Sequence, residues 1–489
     1  MGSTDASPVR LQGSILINGK LVTTERTYPS VNPATGDVLG YAPDASVADA
    51  QAAIAAARYA FDTGDWATDV GFRARCLHQL YQALIEHKEE LRALTIADVG
   101  ATRQDTYGSQ LDLPIEIVRY YAELLATFSW TEEVGDVEVG GQRHHRWVER
   151  EPSGVVAAII GYNYPTRLAL GKLGPALAAG CTVVLKAAPD TPFITLALAA
   201  LIATETDIPP GVVNVLSSSS AEAGEVLTTS PDVDVVTFTG STATGRRIMA
   251  AASPTVKRVF LELGGKSAMV VLDDADIVAP VKVAALGTCT HAGQVCAITT
   301  RMVVPRHRHD EIVACVEEFM GQVTYGDPED SRTYMGPLIS ERQRDKVDGL
   351  VQRAVTAGAT LVTGGSRVDP GYFYAPTLLA NVHPDSEIAQ EEVFGPVLAV
   401  IPHDGDDDAV RIANNSIYGL SGAVYSAVQS RALAVARRIR TGTLAVNGGV
   451  WNGVDAPFGG YKQSGIGKEM GKAGLEEFLE AKTLATVVG

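Results

Sequence analysis

Cysteine is scarce in this chain of 489 residues, which contains only five: Cys76, Cys181, Cys289, Cys296 and Cys315. Their number is odd and no C-x-x-C pair occurs, so neither a disulfide framework nor a zinc knuckle is indicated. The G-x-S-x-G and H-E-x-x-H motifs are also missing, and the nine histidines show no metal-ligand spacing. We therefore expect a reduced protein with no metal site, and the chemistry of these hydrolase and protease motifs is disfavoured.

Basic residues are outnumbered, with 40 Lys and Arg against 57 Asp and Glu, so the formal net charge is −17. A nucleic-acid or anionic-membrane partner requires a basic footprint, which this balance does not provide. The longest apolar runs, such as 194–203, are too short to span a bilayer. The N-terminal segment has no apolar signal core, and Ala6 does not fit a myristoylation pattern. A cytoplasmic protein without nucleic-acid or membrane partners is expected.

The length and the pattern of the chain predict an α/β protein with more than one domain. A single core stops growing at about 250–300 residues, so two or three domains are expected. Residues 46–128 have a helical pattern, and from 154 onward apolar strand segments alternate with helices. Such unbroken apolar segments are typical of parallel strands in a doubly wound sheet. A second α/β block begins near 266, and Gly140-Gly141 predicts the turn of an inserted hairpin.

One strand-to-helix junction has the composition of a phosphate site. In VDVVTFTGSTATG a strand ends at Gly240, and a helix begins at Ser241 with Gly245 in its first turns. The start of such a helix presents free backbone N–H groups and the positive end of the helix dipole. The pattern is not G-x-G-x-x-G, so an ordinary tight turn is an equal alternative.

A carboxylate lies inside an apolar strand segment, RVFLELGG, where Glu262 is unusual because such positions seldom hold a charge. The following GGKS resembles the end of a P-loop, but Phe260 occupies the position of the required first glycine. Glu262 also follows Gly240 by 22 residues, the approximate spacing of the acid that binds the adenosine ribose in Rossmann proteins. A general base is the third alternative, and the spacing alone favours the ribose.

Cys296 lies among small residues in THAGQVCAITTR. A nucleophilic thiolate needs room for its substrate and an exposed backbone N–H, which small neighbours provide. A metal ligand and a packed, inert thiol are the alternatives, and free cysteine is among the most frequently buried residues. The residues around Cys296 do not decide between these alternatives.

Seven segments in one order carry a resemblance to a known family: GYNYP, KLGPALAAGCTVVLK, FTGSTATG, LELGGK, GQVC, EEVFGPV and PFGGYKQSGIGKE. Together they resemble the NAD(P)-dependent aldehyde dehydrogenase superfamily from about residue 15 to 485. The resemblance implies a Rossmann-like parallel-sheet cofactor domain, an α/β catalytic domain and a small β oligomerisation arm. It implies a dinucleotide-binding domain at 1–130 and 152–264, a catalytic domain at 265–465, and an arm at 131–151 and 480–489.

The resemblance also implies a role for individual residues. Cys296 matches the nucleophile, Glu262 the base that activates water, and Asn163 the amide that helps to hold the oxyanion. The base therefore replaces the ribose ligand as the expected role of Glu262. The residues that match cofactor contacts are Ile160, Lys186, Gly240, Ser241, Gly245, Leu263, Gln343, Glu392 and Phe394.

The implied reaction oxidises an aldehyde to a carboxylic acid through a thiohemiacetal and a thioester on Cys296, with hydride transfer to NAD(P)+. A CoA-acylating dehydrogenase is one alternative, against which Glu262 argues because such relatives generally do not keep this base. A non-catalytic binding or structural protein is the other, against which the joint presence of Cys296, Glu262 and Asn163 argues. A homodimer or homotetramer is expected from the family.

Three departures from the family pattern concern specificity. Pro189 stands where many NAD-preferring relatives have Glu, so NAD is expected first and NADP is not excluded. Thr290 and His291 replace an aromatic residue and Asn, and the loop 447–460 has glycines where relatives often have aromatics. Arg167, one helical turn after Asn163, is expected either in the substrate funnel, favouring a polar or carboxylate-bearing aldehyde, or at a surface or interface.

Overall fold

The computed structural model describes residues 11–488. The expectations that concern residues 1–10, namely the start of the first domain and the missing signal sequences, lie outside the described residues. The same holds for Gly489 at the end of the expected arm. Within residues 11–488, no helix combines the length and the apolar character needed to cross a bilayer.

Helices dominate residues 47–124, within the region 46–128 predicted to be helical, and recur between the strands that follow. In chain order they are α1 (Val47–Thr63), α2 (Val70–Glu86), α3 (Lys88–Val99), α4 (Arg103–Thr106), α5 (Asp112–Leu124), α6 (Pro165–Ala179), α7 (Pro192–Glu205), α8 (Glu222–Thr229), α9 (Thr242–Ala252), α10 (Val278–Cys289), α11 (His309–Gly321), α12 (Glu341–Thr356), α13 (Glu387–Gln390), α14 (Asp406–Asn414), α15 (Gln429–Ala436) and α16 (Gly471–Glu476).

Most strands are short and belong to two large sheets and one smaller antiparallel sheet. In chain order they are β1 (Leu11–Gln12), β2 (Ile15–Ile17), β3 (Lys20–Val22), β4 (Thr27–Val31), β5 (Val38–Pro43), β6 (Thr131–Val139), β7 (Gln142–Pro152), β8 (Val155–Ile159), β9 (Thr182–Lys186), β10 (Val213–Leu216), β11 (Val235–Gly240), β12 (Arg258–Leu263), β13 (Ser267–Val271), β14 (Thr299–Pro305), β15 (Thr360–Thr363), β16 (Arg367–Val368), β17 (Phe373–Tyr374), β18 (Thr377–Ala380), β19 (Val397–His403), β20 (Gly422–Tyr425), β21 (Ala445–Val446), β22 (Gly465–Ile466) and β23 (Leu479–Val488).

The first large sheet has the strand order β22-β12-β11-β8-β9-β10-β2-β3. Its five central strands are parallel, while β22 and the β2-β3 hairpin are antiparallel edges. The chain adds β9 and β10 on one side of β8 and then returns to add β11 and β12 on the other. Ligands of such sheets bind at the carboxyl ends of the strands where the order reverses, which here lies between β8 and β11.

Helices cover both faces of this sheet. Val156 and Ala158 of β8 pack in the core that includes α2, α5, α6 and α7. Val155 and Ala157 face the opposite side, in the core that includes α1, α8 and α9. Alternate residues of a strand point to opposite faces, so a strand buried on both faces needs an unbroken apolar run. The predicted doubly wound α/β sheet is confirmed.

A second, mostly parallel sheet has the order β15-β18-β19-β14-β13-β20-β21 and a core of its own. Only β15 runs antiparallel to its neighbour. Its strands extend from Ser267 to Val446, which confirms the second α/β block predicted to begin near residue 266. The domain boundaries themselves stay a prediction.

The predicted hairpin is confirmed in a third sheet, β23-β7-β6, which is antiparallel. Gly140 and Gly141 form its two-residue turn with φ of 61° and 80°. A type I′ turn requires left-handed backbone at both positions, which explains the Gly-Gly pair. The C-terminal strand β23 pairs along β7, so the described parts of the two segments expected to form the arm lie in one sheet.

Candidate active site

Most of the candidate residues line one cavity of about 640 Å3 at the switch point of the first sheet. Cys296, Glu262 and Asn163 all border this cavity. The expected cofactor residues that also line it are Ile160, Lys186, Gly240, Ser241, Leu263, Gln343, Glu392 and Phe394. Gly245 is not in the lining: a Cβ there would come within 2.8 Å of the Leu263 side chain, so this glycine lets α9 approach β12.

The loop that carries Cys296 passes very close to the backbone of its neighbours. A Cβ at Gly293, whose φ is 74°, would lie 2.1 Å from the Gly395 carbonyl oxygen. A Cβ at Gly265 would lie 2.5 Å from the carbonyl oxygen of Cys296 itself. Cys296 is half-buried at the wall of the cavity, whereas Cys289 is fully buried. The small residues of this segment therefore allow the close approach that places the thiol at the cavity.

Gln294 fixes this loop, although sequence reasoning assigned it no role. Its side-chain Nε2 donates to the carbonyls of His291 at 3.2 Å and Pro337 at 3.3 Å, and its Oε1 accepts from the N–H of Ile339 at 2.9 Å. The carbonyl of Gln294 accepts from Asn163 Nδ2 at 2.9 Å. The nucleophile loop and the oxyanion amide are therefore held together by one residue.

Asn163 lies just before α6, which begins with Pro165 and so needs no N–H at its first position. The Asn163 side chain is buried, and its backbone carbonyl accepts from Gln110 Nε2 at 2.9 Å. One amide N–H of Asn163 is used by Gln294, so the second is available to the cavity. This arrangement suits a fixed donor to a developing oxyanion.

Glu262 is buried in β12 with 4% of its surface exposed, and its Oε1 has no hydrogen-bond partner. Burial raises the pKa of this carboxyl well above its usual range, the Glu469 carboxylate raises it further, and Lys172 partly offsets the rise. A hydrogen bond with the Cys296 thiol acts in the same lowering direction. A buried acceptor without a partner beside a thiol is typical of a group that binds a reacting proton or water.

Burial also raises the pKa of the Cys296 thiol well above its usual range, with Glu262 and Glu392 adding to the rise and Arg167 opposing it. The neutral thiol is therefore the resting form in this environment. A base within hydrogen-bonding reach is required to make it nucleophilic, and Glu262 occupies that position.

A buried ion pair lies beside Glu262 and was not anticipated from the sequence. Lys172 Nζ in α6 donates to Glu469 Oε1 at 2.6 Å and to Thr237 Oγ1 at 2.9 Å. Glu469 also lines the cavity. Both members lie within motifs quoted above, KLGPALAAG and GIGKE, but the sequence gives no sign that these distant segments meet.

The cofactor end of the cavity contains a buried ammonium with weak partners. Lys186 Nζ reaches only the carbonyls of Ala187 and Ser218, both at 3.4 Å, and burial lowers the pKa of Lys186 to about 8. Ser241 caps α9 by accepting from the N–H of Thr244 at 3.2 Å. A buried cation with spare donors and a helix N-terminus suit the hydroxyls and phosphates of a dinucleotide.

The opposite end is formed by a strained loop after α13. Phe394 has φ of 56°, which is uncommon for a bulky residue, and its ring packs edge-on against Tyr162 at 5.9 Å. Glu392 Oε1 accepts from the N–H of Gly265 at 3.0 Å. Gln343 Nε2 donates to the carbonyls of Val393 at 3.1 Å and Phe394 at 2.8 Å, so its amide supports this loop.

The residues that depart from the family pattern separate into two groups. Pro189, Thr290 and Arg167 line the cavity, so Arg167 lies in the funnel and not at a remote surface. His291 does not line it: the ring is buried against the Tyr164 ring, with the two centroids 5.3 Å apart. Burial lowers the pKa of His291 to about 4, so this residue is neutral and apolar in character.

No group of three or more His, Cys, Asp or Glu side chains within residues 11–488 is arranged to hold a metal ion.

Comparison with known proteins gives a consistent result. The profile of the Aldehyde dehydrogenase family matches residues 21–484. A putative aldehyde dehydrogenase, DhaS, of Bacillus subtilis (strain 168) is 39% identical over 97% of this chain and 96% of its own length. The mitochondrial succinate-semialdehyde dehydrogenase of Rattus norvegicus is 40% identical over 98% of this chain and 92% of its own. The crystal structure of the Mycobacterium tuberculosis aldehyde dehydrogenase with NAD+ superposes with a TM-score of 0.92, at 40% identity, over 97% of this chain and 98% of that one.

Proposed function

The chain belongs to the aldehyde dehydrogenase family, and we propose that Cys296, Glu262 and Asn163 carry out its reaction in the cavity that they share. The chain oxidises an aldehyde to a carboxylic acid with NAD+ as the oxidant. The observation that carries the residue assignment is the unpartnered Oε1 of buried Glu262 beside the Cys296 thiol and the Asn163 amide.

In the proposed first step, Glu262 accepts the proton of the Cys296 thiol, and the sulfur adds to the aldehyde carbon. The oxygen of the resulting thiohemiacetal receives hydrogen bonds from the Asn163 amide and the Cys296 backbone N–H. Donors fixed in this way are typically worth about 2.7–4 kcal/mol of transition-state stabilisation each. Gln294 contributes indirectly, because it positions both the loop of Cys296 and the amide of Asn163.

NAD+ supplies the hydride acceptor that converts the thiohemiacetal into a thioester when it is bound. The residues that would hold it are Lys186 at the adenosine ribose, Ser241 and the first turn of α9 at the pyrophosphate, and Glu392 with Phe394 at the nicotinamide end. The spare donors of Lys186 and the close packing of Gly245 on Leu263 support this assignment. Before hydrolysis, Glu262 passes the thiol proton to solvent and becomes a carboxylate again. It then takes a proton from water, whose oxygen attacks the thioester; the C–S bond breaks, the acid is released, and the Cys296 sulfur leaves as a thiolate that is reprotonated.

The assignment is tested by NADH formation with a panel of aldehydes, with and without CoA, for the wild type and for Cys296→Ala. We expect NADH and free carboxylic acid without CoA in the wild type and neither product in the variant. Formation of an acyl-CoA as the main product would instead identify a CoA-acylating enzyme. Undiminished turnover by Cys296→Ala would exclude this thiol as the nucleophile.

We further propose that the protein assembles as a homodimer or homotetramer through the β23-β7-β6 sheet and acts in the cytoplasm. The sheet has two free edges within the described residues, and several of its apolar side chains are exposed: Val134, Val139, Val487 and Val488. An exposed apolar patch on an open sheet edge is typical of a surface that pairs with another chain.

A further inference from the structure

Arg167 is an unpaired cation inside the substrate end of the cavity. It lies on α6, one helical turn after Asn163, and lines the cavity with Cys296. In an acidic chain, most arginines of the described residues have a carboxylate partner, but no carboxylate of residues 11–488 lies within ion-pair distance of Arg167. Its guanidinium donates one hydrogen bond, to the Asn452 side-chain oxygen at 3.0 Å.

Most donors of this guanidinium remain unused. Arginine carries five N–H donors in a planar fork, and the neutral oxygen of Asn452 takes one of them. Arg167 would not need a positive charge merely to hold Asn452 in place, because a neutral N–H donor could make the same hydrogen bond. The open donors and the uncompensated charge point to a ligand that carries the opposite charge.

The remaining groups of the cavity make this cation distinctive. Glu262, Glu392 and Glu469 surround the thiol with negative charge and raise the pKa of Cys296, and Arg167 is the cation that opposes them. The other cations in the lining are engaged at the cofactor end: Lys186 with two carbonyls, and Lys346 with the Glu392 carbonyl at 3.1 Å. At the substrate end of the cavity, Arg167 is therefore the cation that an anionic substrate can reach.

Three polar side chains line the same cavity as Arg167: Ser109, Thr290 and Asn452. They are interspersed with apolar groups, among them Trp451 and Phe458, whose rings stack at 5.7 Å. Hydroxyls and an amide beside a guanidinium favour a small oxyanion over an alkyl chain. Because the cavity offers an anionic substrate one free cation, Arg167, and also contains three carboxyl groups, it should bind a singly charged carboxylate better than a doubly charged phosphate.

We propose, on the basis of the aldehyde oxidation proposed above, that Arg167 binds a carboxylate at the far end of the substrate. The substrates of this chain are then oxo acids that present an aldehyde to Cys296 and a carboxylate to Arg167. Asn452 positions the guanidinium through its side-chain oxygen. Aldehydes with a neutral end lack this second contact and react less efficiently.

The test compares kcat/KM for aldehydes of equal length with and without the terminal carboxylate. Suitable pairs are 4-oxobutanoate with butanal and 4-carboxybenzaldehyde with benzaldehyde, and glyceraldehyde 3-phosphate with glyceraldehyde tests a phosphate. In the two pairs that differ by a carboxylate, we expect the wild type to prefer the carboxylate-bearing aldehyde at least about tenfold. Arg167→Met should reduce that preference by about tenfold to a hundredfold, mainly through KM, the effect expected for a charge-assisted hydrogen bond. Arg167→Lys should restore part of it, because the charge remains.

Arg411 provides a matched control, since it is an exposed arginine on α14 that is absent from the cavity lining. Arg411→Met should keep the wild-type preference. A wild-type ratio near one, an equal loss for both members of each pair in Arg167→Met, or a larger preference for the phosphate would overturn the proposal.

A second measurement does not depend on turnover. Glutarate should slow alkylation of Cys296 by iodoacetamide, followed by mass spectrometry of the Cys296 peptide, and the neutral glutaramide should not. Arg167→Met should remove the protection by glutarate. If no aldehyde is oxidised but glutarate protects, the proposed reaction fails while the anion site stands; absence of protection in the wild type rejects the anion site.

Discussion

At the scale of single residues, Glu262 has two roles in the proposed reaction, and substitution separates them. Glu262→Gln keeps the shape of the side chain but cannot accept a proton from water. We expect a slowed burst of NADH of at most one equivalent per active site, because the Cys296 thiol has lost its base, and then a stalled thioester, with steady-state turnover reduced by about 10²–10⁴-fold. Stopped-flow absorbance of NADH and intact-mass detection of the acyl adduct measure the two events.

Cys296→Ala is the control for this experiment and should show neither burst nor adduct. Normal turnover of Glu262→Gln with weaker NAD+ binding would contradict the role of Glu262 as a base. It would instead support the alternative drawn from its spacing after Gly240, in which Glu262 binds the adenosine ribose. A burst as fast as that of the wild type would show that Glu262 does not accept the proton of the Cys296 thiol.

The pH dependence of hydrolysis follows from the neighbours of Glu262. The active form is the carboxylate, and burial and Glu469 raise its pKa, so the rate of thioester hydrolysis should increase with pH over a range well above that in which an ordinary glutamate titrates. Glu469→Gln removes a negative charge and leaves Lys172 without its partner, and both changes lower the pKa of Glu262. The rising limb of the hydrolysis rate should therefore move to lower pH.

Breaking a buried pair typically costs about 3–5 kcal/mol of stability, so the melting temperature of Glu469→Gln must be measured beside its pH profile. Glu476→Gln is the control, because Glu476 is a partly exposed carboxylate on α16 paired with Lys472. Its profile should match the wild type. If Glu469→Gln is folded and its hydrolysis rate rises over the same pH range as that of the wild type, Glu469 does not affect the pKa of Glu262.

The candidate site was predictable from the sequence where a residue lies inside a short, distinctive segment. Cys296, Glu262 and Asn163 each belong to such a segment, and all three line the same cavity. The contacts that support them were not predictable, because Asn163 meets the Gln294 carbonyl across 131 positions and Lys172 meets Glu469 across 297. The spacing of residue types within one strand or helix does not tell which distant segments come into contact.

At the scale of elements, the Cys296 loop depends on glycine where backbones touch. Gly293→Ala would place a Cβ 2.1 Å from the Gly395 carbonyl in a left-handed conformation, and backbone atoms cannot yield as a flexible side chain does. We expect a stability loss above about 1 kcal/mol and a lower kcat, since the loop carrying the thiol must shift. Thermal unfolding and steady-state kinetics measure the two effects.

Gly321→Ala is the matched control, because a Cβ at the end of α11 would meet no atom within 4 Å. It should be neutral or slightly stabilising and leave kcat unchanged. Equal melting temperatures and rates for Gly293→Ala and the wild type would refute the close-approach argument.

The elements themselves were predictable to different degrees. The helices before residue 125 and the strands buried on both faces follow from local pattern, as β8 shows with its unbroken apolar run. The left-handed conformations of His291 and Ala292, with φ of 47° and 51°, were not predictable, since neither residue is a usual occupant of that region. The His291 ring packs against Tyr164, which is 127 positions away along the chain, and local sequence carries no information about such a contact.

At the scale of the whole molecule, chain order predicts two parallel sheets but not how remote segments complete them. The antiparallel edge strand β22, near residue 465, joins the first sheet beside β12, although about 200 residues of the second block separate the two. Likewise, β23 joins a hairpin that precedes it by more than 300 positions. Pairings between distant strands depend on the complete fold. The resemblance to a family indicated only that the hairpin and the C-terminal segment belong to one arm, and nothing in the sequence indicated the place of β22.

The same C-terminal strand makes the proposed assembly testable. A chain that ends at Ala481 keeps the Leu479 carbonyl and Glu480, which hold Arg258, but loses most of β23 and exposes the edge of β7. Val487→Glu is the milder variant, because Val487 is 55% exposed and its substitution leaves the core of one subunit intact.

Light scattering should give a wild-type mass of two or four times 51.5 kDa, and a smaller assembly for both variants. Because a charge buried between apolar sheet edges is costly, Val487→Glu should dissociate at concentrations where the wild type stays assembled. A monomeric wild type, or variants of unchanged mass, would show that this sheet does not join the subunits.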